Sequence, residues 1–294
     1  MVAPEPVGCD CARLPLALPM TYGQSMKDIN AVVTGGASGL GRAFCTELGR
    51  ASCRVLVCDI DQEGAMETVS QIEARGGQAR FHSCDVSSAS EVEAMHAAAQ
   101  AWFGHTDLLV NNAGVAVAGP MENTKLEDWE WIVGINLWGV IYGCRSFLPA
   151  MKARGSGHII NVASAAGLLS PPHMSAYNVT KAAVVALTET VHAENQHKGI
   201  HASVLCPTFF PTNIGKNARA TDSRQSAMIE KFMQRSKLQA SDVARLAIDS
   251  VKRNELYAVP MTDGLHLWRL KRALPQRFAQ LIANSRLQGL LGLR

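Results

Sequence analysis

Tyr177 and Lys181 stand four residues apart, a spacing that puts both side chains on one face of a helix. A phenol titrates near about 10 and is a poor acid-base at neutral pH, but an adjacent ammonium favours the phenolate. Such a pair can exchange a proton with the oxygen of a bound substrate. Ser164 closes the strand-like run Val162-Ala163-Ser164, where a hydroxyl can hydrogen-bond the same oxygen and stabilise developing charge.

A second group of residues points to a phosphate-bearing ligand. The apolar run Ala31-Val32-Val33 enters Thr34-Gly35-Gly36-Ala37-Ser38-Gly39-Leu40-Gly41, followed by a helical stretch from about Arg42. Glycines in that position let the backbone turn tightly and approach a pyrophosphate, whose charge meets amide N–H groups at the helix N-terminus. Asp59 ends the next strand-like run, twenty residues after Gly39. A carboxylate there accepts both ribose hydroxyls of an adenosine and repels a 2′-phosphate.

These residues need a scaffold that presents strand ends on one edge. Short β-rich runs (29–34, 54–59, 79–84, 107–111, 158–162, 201–206 and a weaker 256–259) alternate with helical stretches, the pattern of a parallel sheet covered on both faces. The expected helices include Glu91 to Trp102, capped by Ser87 or Ser90, and the longer Leu126 to Met151 and Ala176 to Asn195. The expected organisation is a flexible leader over 1–26, one α/β domain over 27–264 and a tail over 265–294. Residues 209–239 break the rhythm with a polar, basic, Met-containing segment too long for an ordinary loop, and read as a lid.

Gly35-x-x-x-Gly39-x-Gly41, Asp85-Val86, Asn111-Asn112-Ala113-Gly114, Asn136, Ser164 and Tyr177-x-x-x-Lys181 occur in order and spacing that resemble the short-chain dehydrogenase/reductase family, over about residues 27 to 260. The resemblance is to its compact, single-domain branch. It implies a doubly wound, Rossmann-like parallel sheet and a catalytic set of Tyr177, Lys181, Ser164 and Asn136, the last helping to order a proton relay toward the lysine. It also implies a cofactor site built from Gly35, Ser38, Gly39, Leu40, Gly41, Asp59, Asp85, Val86, Asn112, Ala113, Gly114, Tyr177, Lys181, Pro207 and Thr212. The cofactor so implied is NAD, with NADP the alternative through Arg42. Pro207-Thr208 departs from the family's usual Pro-Gly and puts that contact in doubt. Relatives of this kind pair through the two long helices, which implies a homodimer or homotetramer.

By position, Ser164, Leu168, His173, Met174, Phe209 and Phe210 surround the substrate, with Val115 and Ala165 nearby and Met228, Phe232 and Met233 on the lid. Their apolar character favours a lipophilic secondary alcohol or ketone, such as a steroid, terpenoid, retinoid or fatty alcohol. The alternatives are a 3-oxoacyl thioester reductase, with Lys216, Arg219, Arg224, Lys231 and Arg235 meeting an acidic carrier, and a dinucleotide-binding protein whose catalysis has decayed.

Composition narrows the field further. With 28 basic and 25 acidic residues among 294, the net charge of +3 is too small to indicate nucleic acid. The charge is uneven: from His266 to Arg294 there are six basic residues and no acid. Apolar residues from Leu265 to Ile282 alternate with these, so the tail is expected to pack on its own subunit or to make peripheral membrane contact, with Pro275 dividing it into two helices. Eight dispersed cysteines indicate a reducing, cytoplasmic setting. The nine histidines lack metal-ligand spacing, no Gly-x-Ser-x-Gly elbow is present, and no uninterrupted apolar run reaches the roughly 18 residues of a membrane span.

Overall fold

The computed structural model describes residues 28–215, 218–221, 236 and 238–284. In chain order these form β1 (Asn30–Thr34), α1 (Gly39–Arg50), β2 (Arg54–Asp59), α2 (Gln62–Glu73), β3 (Gln78–Ser83), α3 (Ala89–Phe103), β4 (Leu108–Asn111) and a short β5 (Val117–Ala118). There follow α4 (Leu126–Val133), a π turn (Gly134–Trp138), α5 (Gly139–Arg154), β6 (Gly157–Val162), α6 (Ala165–Leu169), α7 (Ser175–Asn195) and β7 (Ile200–Leu205). The last elements are β8 (Arg219–Ala220), α8 (Ala240–Lys252), β9 (Tyr257–Ala258), α9 (Thr262–Ala273) and α10 (Pro275–Ala283).

Seven parallel strands form one sheet in the order β3-β2-β1-β4-β6-β7-β9. The central strands are apolar throughout because helices cover both sides. Val32 packs with Met95, Phe147 and Val184 under α3, α5 and α7, whereas its neighbours Ala31 and Val33 pack with Phe44, Leu48 and Val243 under α1 and α8. The chain leaves β1 toward β2 on one side and enters β4 on the other, so a crevice opens at the carboxyl ends of β1 and β4.

Several local expectations are corrected. Ser88, not Ser87 or Ser90, caps α3 by accepting from Glu91 N, because the Ser87 hydroxyl is already bonded to Asp85. The single long helix expected over 126–151 is two helices joined by the π turn. Taken as one run, Leu126–Arg154 is long and apolar enough by composition to cross a membrane, contrary to the reading of the bare sequence. Here it is a core element whose Ile132, Val140, Phe147 and Met151 are buried. Within the expected lid, β8 pairs in parallel with β5. Arg219 is committed to Asp128 at 2.9 Å and to the Trp131 ring at 3.9 Å. Lys216, Arg224, Met228, Lys231, Phe232, Met233 and Arg235, like the leader over 1–26, lie outside the described residues.

Under the crevice, at the opposite ends of β6 and β7, His158 is buried against Ser203. Ser203 Oγ gives its proton to Glu255 O, so His158 Nε2 is the donor across their 2.8 Å contact. That leaves Nδ1 unprotonated and without a donor beside it, and burial pushes the imidazole pKa from 6.5 down to about 3. Above pH 6.5 neither the folded nor the unfolded chain is protonated here, and the fold has its full stability. As pH falls from 6.5 toward 3 only the unfolded chain takes the proton, so stability is expected to drop by up to roughly 1.4 kcal/mol per pH unit from this group. Denaturant melts of the wild type and His158→Gln check this: the variant should have a shallower slope between pH 6.5 and 4.5, and equal slopes would refute it.

Candidate active site

The crevice holds a cleft of about 560 Å³. Its first wall is the turn between β1 and α1. Gly35 has φ +68°, in the left-handed region where a side chain is strained. Gly41 matters for a different reason: a Cβ there would lie 1.9 Å from the Gly35 carbonyl oxygen and 2.6 Å from Asn112 Nδ2. Thr34 Oγ1 accepts from the Asn112 and Ala113 amides, and Asn112 Nδ2 donates to Thr34 O, so β4 fastens the turn from the side. Ser38 precedes α1 without a side-chain cap, and the first turn carries no acid. Its N–H groups are therefore available to a phosphate.

Asp59, at the end of β2, accepts from Ala37 N through one oxygen and from Asp61 N through the other. Arg42 points elsewhere. Its guanidinium donates to Ala37 O and Gly64 O and pairs with Glu67 at 2.8 Å. Cys84, Asp85 and Val86 continue this wall from the end of β3, with Asp85 Oδ1 turned to the Ser87 amide and hydroxyl.

Tyr177 and Lys181 enter from α7, and the helix is pinned where they need it. Asn111 donates to Asn161, and Asn161 to Thr188, linking β4, β6 and α7 through buried amides and a hydroxyl. Lys181 is 3% exposed, donates to Val162 O at 2.8 Å and lies 5.7 Å from the centre of the Tyr177 ring. The tyrosine pKa is raised, not lowered as expected. Burial pushes the phenol up to about 12, only partly opposed by its hydrogen bond with Ser164. Burial likewise pushes Lys181 down to about 8. Desolvation penalises both charged forms, so each group is displaced toward neutrality.

Ser164 ends the segment after β6 and caps α6 by accepting from Ala166 N. Asn136 is fully buried in the π turn, behind the cleft wall. Its Oδ1 accepts from Val115 N and its Nδ2 donates to Val115 O, so it braces the loop after β4 from both sides. The π turn carries one residue more than a regular helical turn, and Asn136 lies within it.

The cleft brings together Gly35, Ser38, Gly39, Leu40, Gly41, Asp59, Asp85, Val86, Asn112, Ala113, Gly114, Ser164, Tyr177, Lys181, Pro207 and Thr212. Met174, Phe209 and Phe210 line it too, as do Val115 and Ala165. Leu168 and His173 do not. Leu168 turns into the core under α7, leaving Leu169 to face the cleft. His173 has φ +60° and uses its carbonyl to accept from Gly119 N. Sequence reasoning passed over Leu267, Phe278 and Ile282, which belong to the tail and also line the cleft. Thr208, the departure from Pro-Gly, sets its methyl against Gly264, where a Cβ would lie only 2.6 Å from it. Among the described residues no group of three His, Cys, Asp or Glu is placed to hold a metal.

Comparison with known proteins agrees with this geometry. The profile of the short chain dehydrogenase family matches residues 30–223. "Probable oxidoreductase EphD" of Mycobacterium tuberculosis is 33% identical over 253 residues, covering 83% of this chain and 43% of that protein, so the chain spans less than half of that relative. 3beta-hydroxysteroid dehydrogenase 1 of Eggerthella lenta is 36% identical over 204 residues, 69% of this chain and 78% of the relative. A crystal structure of a short chain dehydrogenase/reductase from Burkholderia phymatum in complex with NAD superposes with a TM-score of 0.81 at 34% identity, covering 85% of this chain and 95% of that one.

Proposed function

The chain belongs to the short-chain dehydrogenase/reductase family, and on that premise we propose that it exchanges a hydride between NAD(H) and a lipophilic secondary alcohol or ketone. The observation that carries this reading is a single cleft in which the glycine turn and Asp59 lie at one end and Tyr177, Ser164 and Lys181 at the other, between apolar walls. When bound, NAD supplies the hydride chemistry. The unguarded first turn of α1 and the Gly41 approach suit its pyrophosphate, and Asp59 suits its adenosine ribose.

The protein's own work is on the substrate oxygen. In the reducing direction the neutral Tyr177 phenol donates its proton to the carbonyl oxygen, and the Ser164 hydroxyl hydrogen-bonds that oxygen as charge develops. In the oxidising direction the phenol oxygen must first be deprotonated, which the Lys181 ammonium favours whenever it is charged. Leu169, Met174, Phe209 and Phe210 keep water from the rest of the substrate, and the steroid dehydrogenase among the relatives supports a substrate with a large apolar body. Following nicotinamide absorbance with a panel of sugars, short alcohols, cyclic and long-chain alcohols and acetoacetyl thioesters tests the proposal. Saturable turnover of the cyclic or long-chain alcohols is expected. Activity on thioesters or sugars alone would reverse it.

Preference for NAD follows from two side chains. Asp59 would face a 2′-phosphate with like charge, a clash worth about 1 kcal/mol in water and about 4 kcal/mol at an effective dielectric near 20. Arg42, the residue able to offset it, is held by Ala37, Gly64 and Glu67. The ratio of kcat/KM for NAD over NADP is expected to be about tenfold or more, and to fall in Asp59→Asn. A wild-type ratio of one or less would overturn this.

A further inference from the structure

The chemistry above leaves one wall of the cleft without a task. α9 and α10 lie beyond the residues matched by the family profile, yet they are built onto the catalytic elements at three points. Gly264 admits the Thr208 methyl beside Ala165. Lys271 Nζ donates to Leu168 O at 2.7 Å, fastening α9 to α6, the helix that Ser164 caps. Trp268 packs on Tyr257 with ring centres 4.8 Å apart, and the Tyr257 hydroxyl donates to Glu189 of α7. The tail is therefore referenced to both elements that hold the proton-transfer groups.

α10 continues from this anchored helix after a break at Leu274, with Pro275 in its first turn. Three of its nine residues, Gln276, Arg277 and Gln280, are polar, and most of its residues are exposed. Phe278 is buried, at 3% exposure, and Leu281 and Ile282 are half-buried. Phe278 and Ile282 are one helical turn apart, so they share a face, and both line the cleft together with Leu267 of α9. An aromatic side chain buried by a short terminal helix over a cleft wall covers whatever occupies the space beneath it.

We propose that α10 is a cap over the substrate end of the cleft, and that Phe278 and Ile282 select for substrates with a large apolar body. The inference rests on the alcohol or ketone reading above and deepens it. A short substrate reaches Tyr177 and Ser164 but leaves the space under Phe278 to water. A long or cyclic one fills that space and gains contact that does not touch the reacting oxygen. Such contact is made equally in the ground and transition states, so it appears in KM more than in kcat.

The test uses the full-length wild type, Phe278→Ala, Phe278→Leu and Ile282→Ala, with secondary alcohols from 2-propanol to 2-decanol and NAD. In Phe278→Ala, kcat/KM for 2-decanol is expected to fall about tenfold or more, chiefly through KM, in line with the roughly 10–200-fold effect of altered methylene-scale packing. Turnover of 2-propanol and NAD affinity should stay within about twofold, Phe278→Leu should fall between, and Ile282→Ala should show the same length dependence. Equal losses along the series would reduce the tail to a structural part, and no loss at any length would overturn the cap outright. If the wild type oxidises no member, the proposed reaction fails, and the cap is then judged by binding alone. Amide hydrogen exchange in residues 275–283 should slow with 2-decanone and not with 2-butanone. Equal protection by both, or none, overturns it.

Discussion

Replacing Tyr177 by Phe is expected to lower kcat by about 10²-fold or more, while NAD affinity stays within about twofold. The substitution removes one oxygen and leaves the ring, so the packing of α7 against α6 and the contact with Lys181 persist. Ser164 keeps its bond to Ala166 N and can still polarise the substrate oxygen, but an aliphatic hydroxyl is a far weaker acid than a phenol. Lys181 is not expected to substitute, since its Nζ is bonded to Val162 O and lies 5.7 Å from the centre of the Tyr177 ring. Single-turnover absorbance at saturating cofactor measures the effect. A variant with more than about a tenth of wild-type kcat would remove Tyr177 from the proton-transfer role.

Gly41→Ala is expected to be as damaging at the other end of the cleft. The added Cβ would strike the Gly35 carbonyl oxygen at 1.9 Å, and that oxygen belongs to backbone, which has no rotamer to escape into. The same Cβ would lie 2.6 Å from Asn112 Nδ2, which is bonded to Thr34 O, so the turn and α1 must move to make room. Overpacking of this kind costs about 1–3 kcal/mol, and displacement of the α1 N-terminus should weaken NAD binding by about a hundredfold. Calorimetric titration with NAD and a thermal melt separate the two effects. NAD affinity within about threefold of wild type would show that the turn does not carry the pyrophosphate.

The central sheet was legible because its strands are apolar on both faces: Ala31, Val32 and Val33 announce themselves by type alone, and Asp59 marks where β2 ends. The polar set was legible for the opposite reason. Tyr177, Lys181, Ser164 and Asn136 are polar groups at intervals that a folded core does not require. What escaped was governed by long-range contacts. Which of Leu168 and Leu169 faces the cleft depends on the turn of a five-residue helix against α7. That Phe278 covers the cleft depends on a glycine at 264 and a threonine at 208, positions 56 residues apart that mean nothing separately. The direction of the Tyr177 shift was misread because spacing reveals a neighbour but not the loss of water around it.

The π turn between α4 and α5 sets a limit on the chain's tolerance to changes in length. Deleting one residue from 134–138 would let the two helices fuse into a regular one, a locally simpler structure. It would leave the flanking helices in nearly their present phase, because a π turn spends one extra residue on the rotation that a regular helix makes without it. Ile132 before the turn and Val140, Phe147 and Met151 after it are all buried now, and would keep their shared face. Asn136 would leave both backbone atoms of Val115, and the loop it braces would be free to drift. A stretch that looks like the easiest place to shorten the protein is thus one where the helices would survive the loss of a residue and the brace behind the cleft would not.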